Sequence, residues 1–166
     1  ATMAATAALP TRALAQATGA AGDAPVNALF EQIFTEAVSS SPEFASSLGL
    51  DRGANAALKR QLTPQTRAEQ SRALARVDHA LSALRGIDRA TLSPAAQLNL
   101  DVVTYQLSAQ AAPRHEFGVD GVIRPYPIFQ QGGAYFEVPD FLNTAHTVRS
   151  AEDAEAYLSR LDQFGT

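Results

Sequence analysis

Apolar residues recur at spacings of three and four over Val26, Leu29, Phe30, Ile33, Phe34, Ala37 and Val38. That period predicts a helix with one broad apolar face, opened at Asp23 and Pro25. Ser41-Pro42 then places an N-cap serine before a proline at the first helical position, which predicts a short second helix. Gly49 stands where a left-handed cap would end it, with Leu50 free to fold back on the turn, and a polar stretch through Arg52, Gly53 and Asn55 follows. By the same cap logic Thr63-Pro64 opens a long helix whose stripe is Leu74, Val77, Leu81 and Leu84, as on the seam of an antiparallel bundle. Its opposite face carries Arg67, Glu69, Arg72, Arg76 and His79, and Gly86 stops it. Ser93-Pro94 opens the next helix. There Leu98, Val102, Tyr105 and Ala109 share one face with Leu100, Val103 and Leu107 beside them, an arc wide enough for contact on two sides, and Pro113 is expected to end it.

From Arg114 to Thr147 the helical period gives way to Pro125, Pro127 and Pro139 with Gly118, Gly121, Gly132 and Gly133. Tyr126–Gln130 and Ala134–Val138 flank Gln131-Gly132-Gly133, which predicts a β-hairpin over about 126–138 with Pro127 on an edge strand. Ser150 and Asp153 then form a capping-box pattern before a last helix with Tyr157, Leu158, Leu161 and Phe164 as its apolar stripe. The fold class expected is mainly α: antiparallel, bundle-like helices with one β-hairpin. The last stripe breaks off after about four turns. Residues 25–166 are therefore expected to be the N-terminal portion of a larger, mostly helical protein, with the remaining C-terminal part of that protein as the partner of the uncovered faces. The faces expected to lack cover are Leu100, Val103 and Leu107, and Tyr157, Leu161 and Phe164.

Residues 1–24 differ in texture: small side chains, no aromatic, and one charge of each sign, Arg12 and Asp23. Ala1–Leu9 reads as the end of a signal-peptide apolar region, and Ala13-Leu14-Ala15 offers small residues at the two cleavage pockets before Gln16. The segment is expected to be a signal-peptide remnant and flexible arm, which would put the mature protein in the periplasm or outside the cell. Composition narrows the rest. The 166 residues hold 13 Lys and Arg against 17 Asp and Glu, a net charge of −4, which argues against an electrostatic nucleic-acid binder. The absence of cysteine excludes disulfides, thiol nucleophiles and cysteine-containing zinc sites. No apolar run is long enough to span a membrane.

The chemistry-bearing residues are sparse. His79 lies off its helix's apolar stripe and reads as solvated. His115-Glu116 begins like a His-Glu-x-x-His zinc helix, but its fifth position is Val119, so the second imidazole is missing. Ser39-Ser40-Ser41 reads as a helix end and cap, and Asp101, set between Leu100 and Val102, must if buried be paired or protonated, an arginine being the simplest partner. No phosphate loop, dinucleotide fingerprint or nucleophile elbow is present. The least generic run is Pro125–Gly133, PYPIFQQGG: either a structural hairpin, or an edge strand along which an extended peptide substrate could lie. On the second reading Gln130, Gln131, Tyr135 and His146 are the candidate substrate-binding residues; His146, a single histidine without partners in FLNTAHTV, reads more simply as making a loop hydrogen bond. No catalytic residue, metal ligand or cofactor site is assigned within the chain.

Two groups of residues carry a family resemblance. One is Ser41-Pro42-Glu43-Phe44-Ala45 with Ser47-Leu48-Gly49-Leu50, and Leu92-Ser93-Pro94 with Leu98–Val103 and Tyr105-Gln106-Leu107; the other is Pro125–Ile128, Gln130–Phe136 and Val138–Leu142. From about Leu29 to Phe164 the chain resembles the N-terminal part of a bacterial family known as domain of unknown function 885. The resemblance implies a secreted, mainly helical zinc metallopeptidase of the gluzincin type, several hundred residues long. Its His-Glu-x-x-His helix and downstream glutamate would lie C-terminal of the matched region, so zinc is expected in the full-length parent and not in this chain. This chain would then supply cleft wall. The alternative is a non-catalytic periplasmic helical binding or scaffold module.

Overall fold

A computed structural model of the protein describes residues 20–119, 126 and 128–164. Six α-helices follow in order: α1 (Asp23–Ser40), α2 (Pro42–Ser47), α3 (Arg67–Arg85), α4 (Pro94–Phe117), α5 (Ala134–Thr144) and α6 (Ala151–Gln163), with 3₁₀ segments at Gly53–Arg60 and Arg89–Thr91. The protein is mainly helical, as the apolar periods predict. None of the described helices is long and apolar enough to cross a membrane. Of the segment 1–24 expected as signal remnant and arm, residues 1–19 lie outside the described residues, and Asp23 and Ala24 belong to α1.

Local chemistry sets most of the helix ends. The hydroxyls of Ser41, Ser93 and Ser150 each accept the backbone N–H three residues on, at 3.1 to 3.3 Å, satisfying a donor that has no partner within its helix. Helix α2 closes on Gly49 at φ +66°, with Gly49 N–H donating to Ser46 O and Leu50 N–H to Ala45 O, the paired bonds of a left-handed cap. Two boundaries differ from the sequence expectation. Helix α3 starts at Arg67, because Thr66 caps Glu69 while Thr63, through its N–H and hydroxyl, is held by the Glu43 carboxylate. Pro113 lies inside α4 rather than ending it. It gives up one backbone bond, and the helix continues to a left-handed Gly118.

The predicted hairpin is corrected. Among the described residues there is no strand, only an isolated bridge in which Phe129 and Gly132 exchange N–H···O bonds at 3.2 Å around Gln130-Gln131. The Phe129 ring packs over Gly132, where a Cβ would lie 1.9 Å from it and displace it. Ala134–Val138, expected as the second strand, is instead the start of α5. Its buried residues, Val138 and Leu142, stand four apart, and the Glu137 carboxylate reaches back to the Gly133 N–H. Pro139 removes one N–H but does not break the helix.

Packing divides the molecule into two regions. In the first, Val26, Leu84, Leu92, Ala96 and Leu100 form an apolar core between α1, α3 and α4, with Phe30, Ile33, Val103 and Leu107 packed around it. Leu100, Val103 and Leu107 are therefore covered from within the chain, contrary to expectation. The stripe left in solvent on α4 is Leu98, Val102 and Tyr105. The second region joins α2, the Gly53–Arg60 segment, α5 and α6, and its centre is polar. Helix α6 buries Ala156 and Arg160, while Leu158, Leu161 and Phe164 face outward.

Candidate functional site

The centre of the second region is one side chain. Arg160 is fully buried, with 0% of its surface exposed. Its Nε donates to Gln61 O at 2.8 Å, Nη1 to His146 Nδ1 at 2.7 Å, and Nη2 to Ser46 Oγ at 2.7 Å and Leu58 O at 2.9 Å. Its guanidinium carbon lies 4.9 Å from the centre of the Phe141 ring. A buried cation is tolerable only if its donors are satisfied, and here they are satisfied mainly by neutral acceptors about a hundred residues away in sequence. Burial pulls the Arg160 guanidinium below its ordinary range, and the charges of Asp51 and Glu43 oppose that shift.

Arg160 also fixes His146. A guanidinium only donates, so Nδ1 must accept; Nε2 then carries the hydrogen and donates to Asp153 O at 3.1 Å. The ring stacks edge-on against Tyr157, with centroids 5.4 Å apart. Ser46 extends the network outward, because its hydroxyl donates to Asp51 at 2.8 Å while accepting from Arg160.

Asp51 lines a polar cleft of about 660 Å³ between the α2 turn and the α5–α6 connection, bordered also by Arg52, Lys59, Thr147, Arg149 and Asp153. Lys59 and Asp153 form an ion pair in its wall. The Lys59 ammonium, then the Arg149 N–H at 2.8 Å, hold the Asp153 carboxyl well below the usual carboxylate range. Outside the cleft several charges pair with one another. Glu69 binds Arg72 and Arg76, Asp101 binds Arg89 although it is exposed rather than buried, and His115 binds Asp78.

The four candidate substrate residues do not form one site. Gln130 and Gln131 are exposed at the tip of the Phe129–Gly132 turn. The Tyr135 hydroxyl donates to the Phe129 and Gln130 carbonyls, both at 2.7 Å, and so ties that turn to the start of α5. His146 follows the other end of α5, a helix roughly 16 Å long, and its ring is buried against Arg160. The features missed from sequence are Arg160 and the cleft. An arginine beside Ala156 on a helix with an apolar stripe elsewhere gives no local sign of burial.

A family model described as "Bacterial protein of unknown function (DUF885)" matches residues 42–166, three quarters of the chain. The chain belongs to the DUF885 family. Comparisons with curated proteins and with solved structures gave no match. The match takes in the Arg160 network, the polar cleft and the turn at Gln130-Gln131 of this DUF885 chain. Zinc, which the resemblance implies for a whole protein of this kind, does not fit the residues described: no three His, Asp or Glu side chains among them form a set that could hold a metal ion. His115, the nearest to a zinc-helix histidine in sequence, is engaged by Asp78 at 2.8 Å.

Proposed function

We propose that this chain is the non-catalytic N-terminal helical part of a zinc-dependent peptidase or related hydrolase working outside the cytoplasm, and that it forms one wall of the enzyme's cleft. The observation that carries the reading is the solvent-facing stripe of Leu98, Val102 and Tyr105, 62%, 46% and 75% exposed at successive turns of α4, in a DUF885 chain. Water-facing apolar side chains in register on a helix are what a further packed element would cover. Leu158, Leu161 and Phe164 on α6 support the same reading. Export is supported by the Ala13-Leu14-Ala15 pattern ahead of Gln16. Zinc and the groups acting on the scissile bond belong, on this reading, to the part of the enzyme that this chain helps to wall.

The test is to purify the native gene product, measure its denatured mass and bound zinc, and assay hydrolysis of a mixed peptide library with and without a chelator. A mass several times 17.6 kDa, one zinc per chain and chelator-sensitive cleavage are the expected results. A native product of 17.6 kDa or less, or a larger one with neither zinc nor hydrolysis, overturns the reading and leaves a helical binding or scaffold module.

A further inference from the structure

We propose that the polar cleft beside the Arg160 network is a binding site for the carboxylate of a small ligand. The inference does not depend on the hydrolase reading. It rests on which groups in the cleft already have partners. Both carboxylates do, Asp153 through both oxygens and Asp51 through one. Asp51 accepts the Ser46 hydroxyl, and Asp153 is shared between Lys59 and the Arg149 backbone N–H. The donors, by contrast, are in excess. Arg52 commits only Nε, to Gly49 O at 2.6 Å, leaving both Nη groups. Among the described residues the Arg149 guanidinium and the Thr147 hydroxyl have no hydrogen-bond partner.

Charge points the same way. Three cations, Arg52, Lys59 and Arg149, face two carboxylates in a chain whose net charge is −4, so the cleft is a local positive site on an acidic protein. The cleft is also held in shape from behind. Ser46 in its wall is gripped by buried Arg160, and a Cβ on Gly49 would stand 2.9 Å from Arg52 Nη2, so the α2 turn seats that guanidinium. A cleft of about 660 Å³ suits a ligand larger than a lone ion. Planar guanidinium groups pair through two parallel hydrogen bonds with a carboxylate or a phosphate; a carboxylate is the group assigned, and the phosphate arm of the test separates the two.

The experiment is a calorimetric titration of the native protein with N-acetyl-dialanine, its C-terminal amide and inorganic phosphate at low salt. The acid is expected to bind and the amide to bind about tenfold more weakly or not at all, the loss of one charge-assisted hydrogen-bonded pair. Arg149→Gln and Arg52→Gln should each weaken the acid by about tenfold. Arg85→Gln, the same charge change on an exposed residue outside the cleft, should leave it unchanged. Circular dichroism on each variant separates loss of binding from loss of fold, and Arg149→Lys serves if Arg149→Gln loses helicity. Equal binding of acid and amide, phosphate binding tighter than the acid, or an Arg85→Gln effect matching that of Arg149→Gln overturns the proposal.

Discussion

The two packed regions hold together by opposite means. Between α1, α3 and α4 the buried residues are Val26, Leu84, Leu92, Ala96 and Leu100, and no charge lies among them. Between α2, the Gly53–Arg60 segment and α6 the largest fully buried side chain is Arg160, bonded to Gln61, Leu58, Ser46 and His146. The apolar region is non-directional. Any side chains of the right volume fill it, and their burial contributes roughly 25 cal/mol per Å². The polar region is directional. It specifies which backbone carbonyls must face α6, and it fails if the donor is lost, because Ser46 Oγ and His146 Nδ1 stay buried. A hydrophobic core tolerates substitution by size, whereas a buried arginine network tolerates almost none.

The largest effect should therefore come from Arg160→Ala, which strands Gln61 O, Leu58 O, Ser46 Oγ and His146 Nδ1; we expect a loss of about 4 kcal/mol in urea unfolding. Leu84→Ala, at 2% exposure in the apolar core, should cost about 3 kcal/mol through lost transfer energy and the cavity left behind. The volume-conserving partners sharpen the contrast. Leu84→Met should cost under about 1.5 kcal/mol, while Arg160→Met restores volume but no donor and should recover less than half of its alanine loss. If the two methionine variants behave alike, Arg160 acts by filling space and the distinction between the regions fails.

Acid should act on both regions through carboxylates whose pKa values the fold lowers. The backbone N–H of Ser93 holds Asp23 down beside the apolar core, and Lys59 holds Asp153 down beside the polar one. A group with a folded pKa below its unfolded value contributes stability above the unfolded value, about 3.9 for aspartate. That contribution is lost as pH falls through the folded value. Melting temperature should thus be flat from about pH 7 to pH 5 on this account and fall below about pH 4. Asp153→Asn should flatten the acid limb, and an unchanged slope would show that its pairing with Lys59 contributes nothing.

Legibility in the sequence follows the same division. Helix starts at Ser41, Ser93 and Ser150 and the turn at Gly49 could be read because each is decided within about four residues. The apolar core could be read in part, since Leu84 and Leu100 sit on helical stripes. The misreadings came where distant contacts decide. Thr63 carries the same cap signal as Ser93 but is taken by Glu43, twenty residues back, and Thr66 caps α3 instead. Pro113 and Pro139 each cost one backbone bond, which their helices absorb. Ala134–Val138 follows a glycine turn as the second strand of a hairpin would, yet Val138 and Leu142 bury one helical face. The polar region was invisible because Arg160 finds its acceptors about a hundred residues away, and a helix with outward-facing Leu158 and Leu161 gives the wrong buried face. The candidate site divides in the same way: a hydrogen-bonding role for His146 is readable from its place in a loop, but its partner, a buried guanidinium on another helix, is not.

The smallest effects should come from the caps, where the two regions use one chemistry. Ser93→Ala removes the acceptor for Ala96 N–H at the start of α4, and Ser150→Ala removes the one for Asp153 N–H at the start of α6. Each alone should cost about 1 kcal/mol. The neighbours differ, however. Ser93 contributes only a cap, plus a backbone N–H to Asp23, whereas Asp153 also carries the Lys59 pair and accepts His146 through its carbonyl. Fraying the first turn of α6 should therefore reach the Arg160 network, while fraying that of α4 should stop at the helix end. Hydrogen exchange resolves the two cases. In Ser93→Ala faster exchange should be confined to the first turn of α4, and in Ser150→Ala it should spread to the amides of 58–62. Equal, local changes in both variants would mean that the polar network holds α6 without help from its cap.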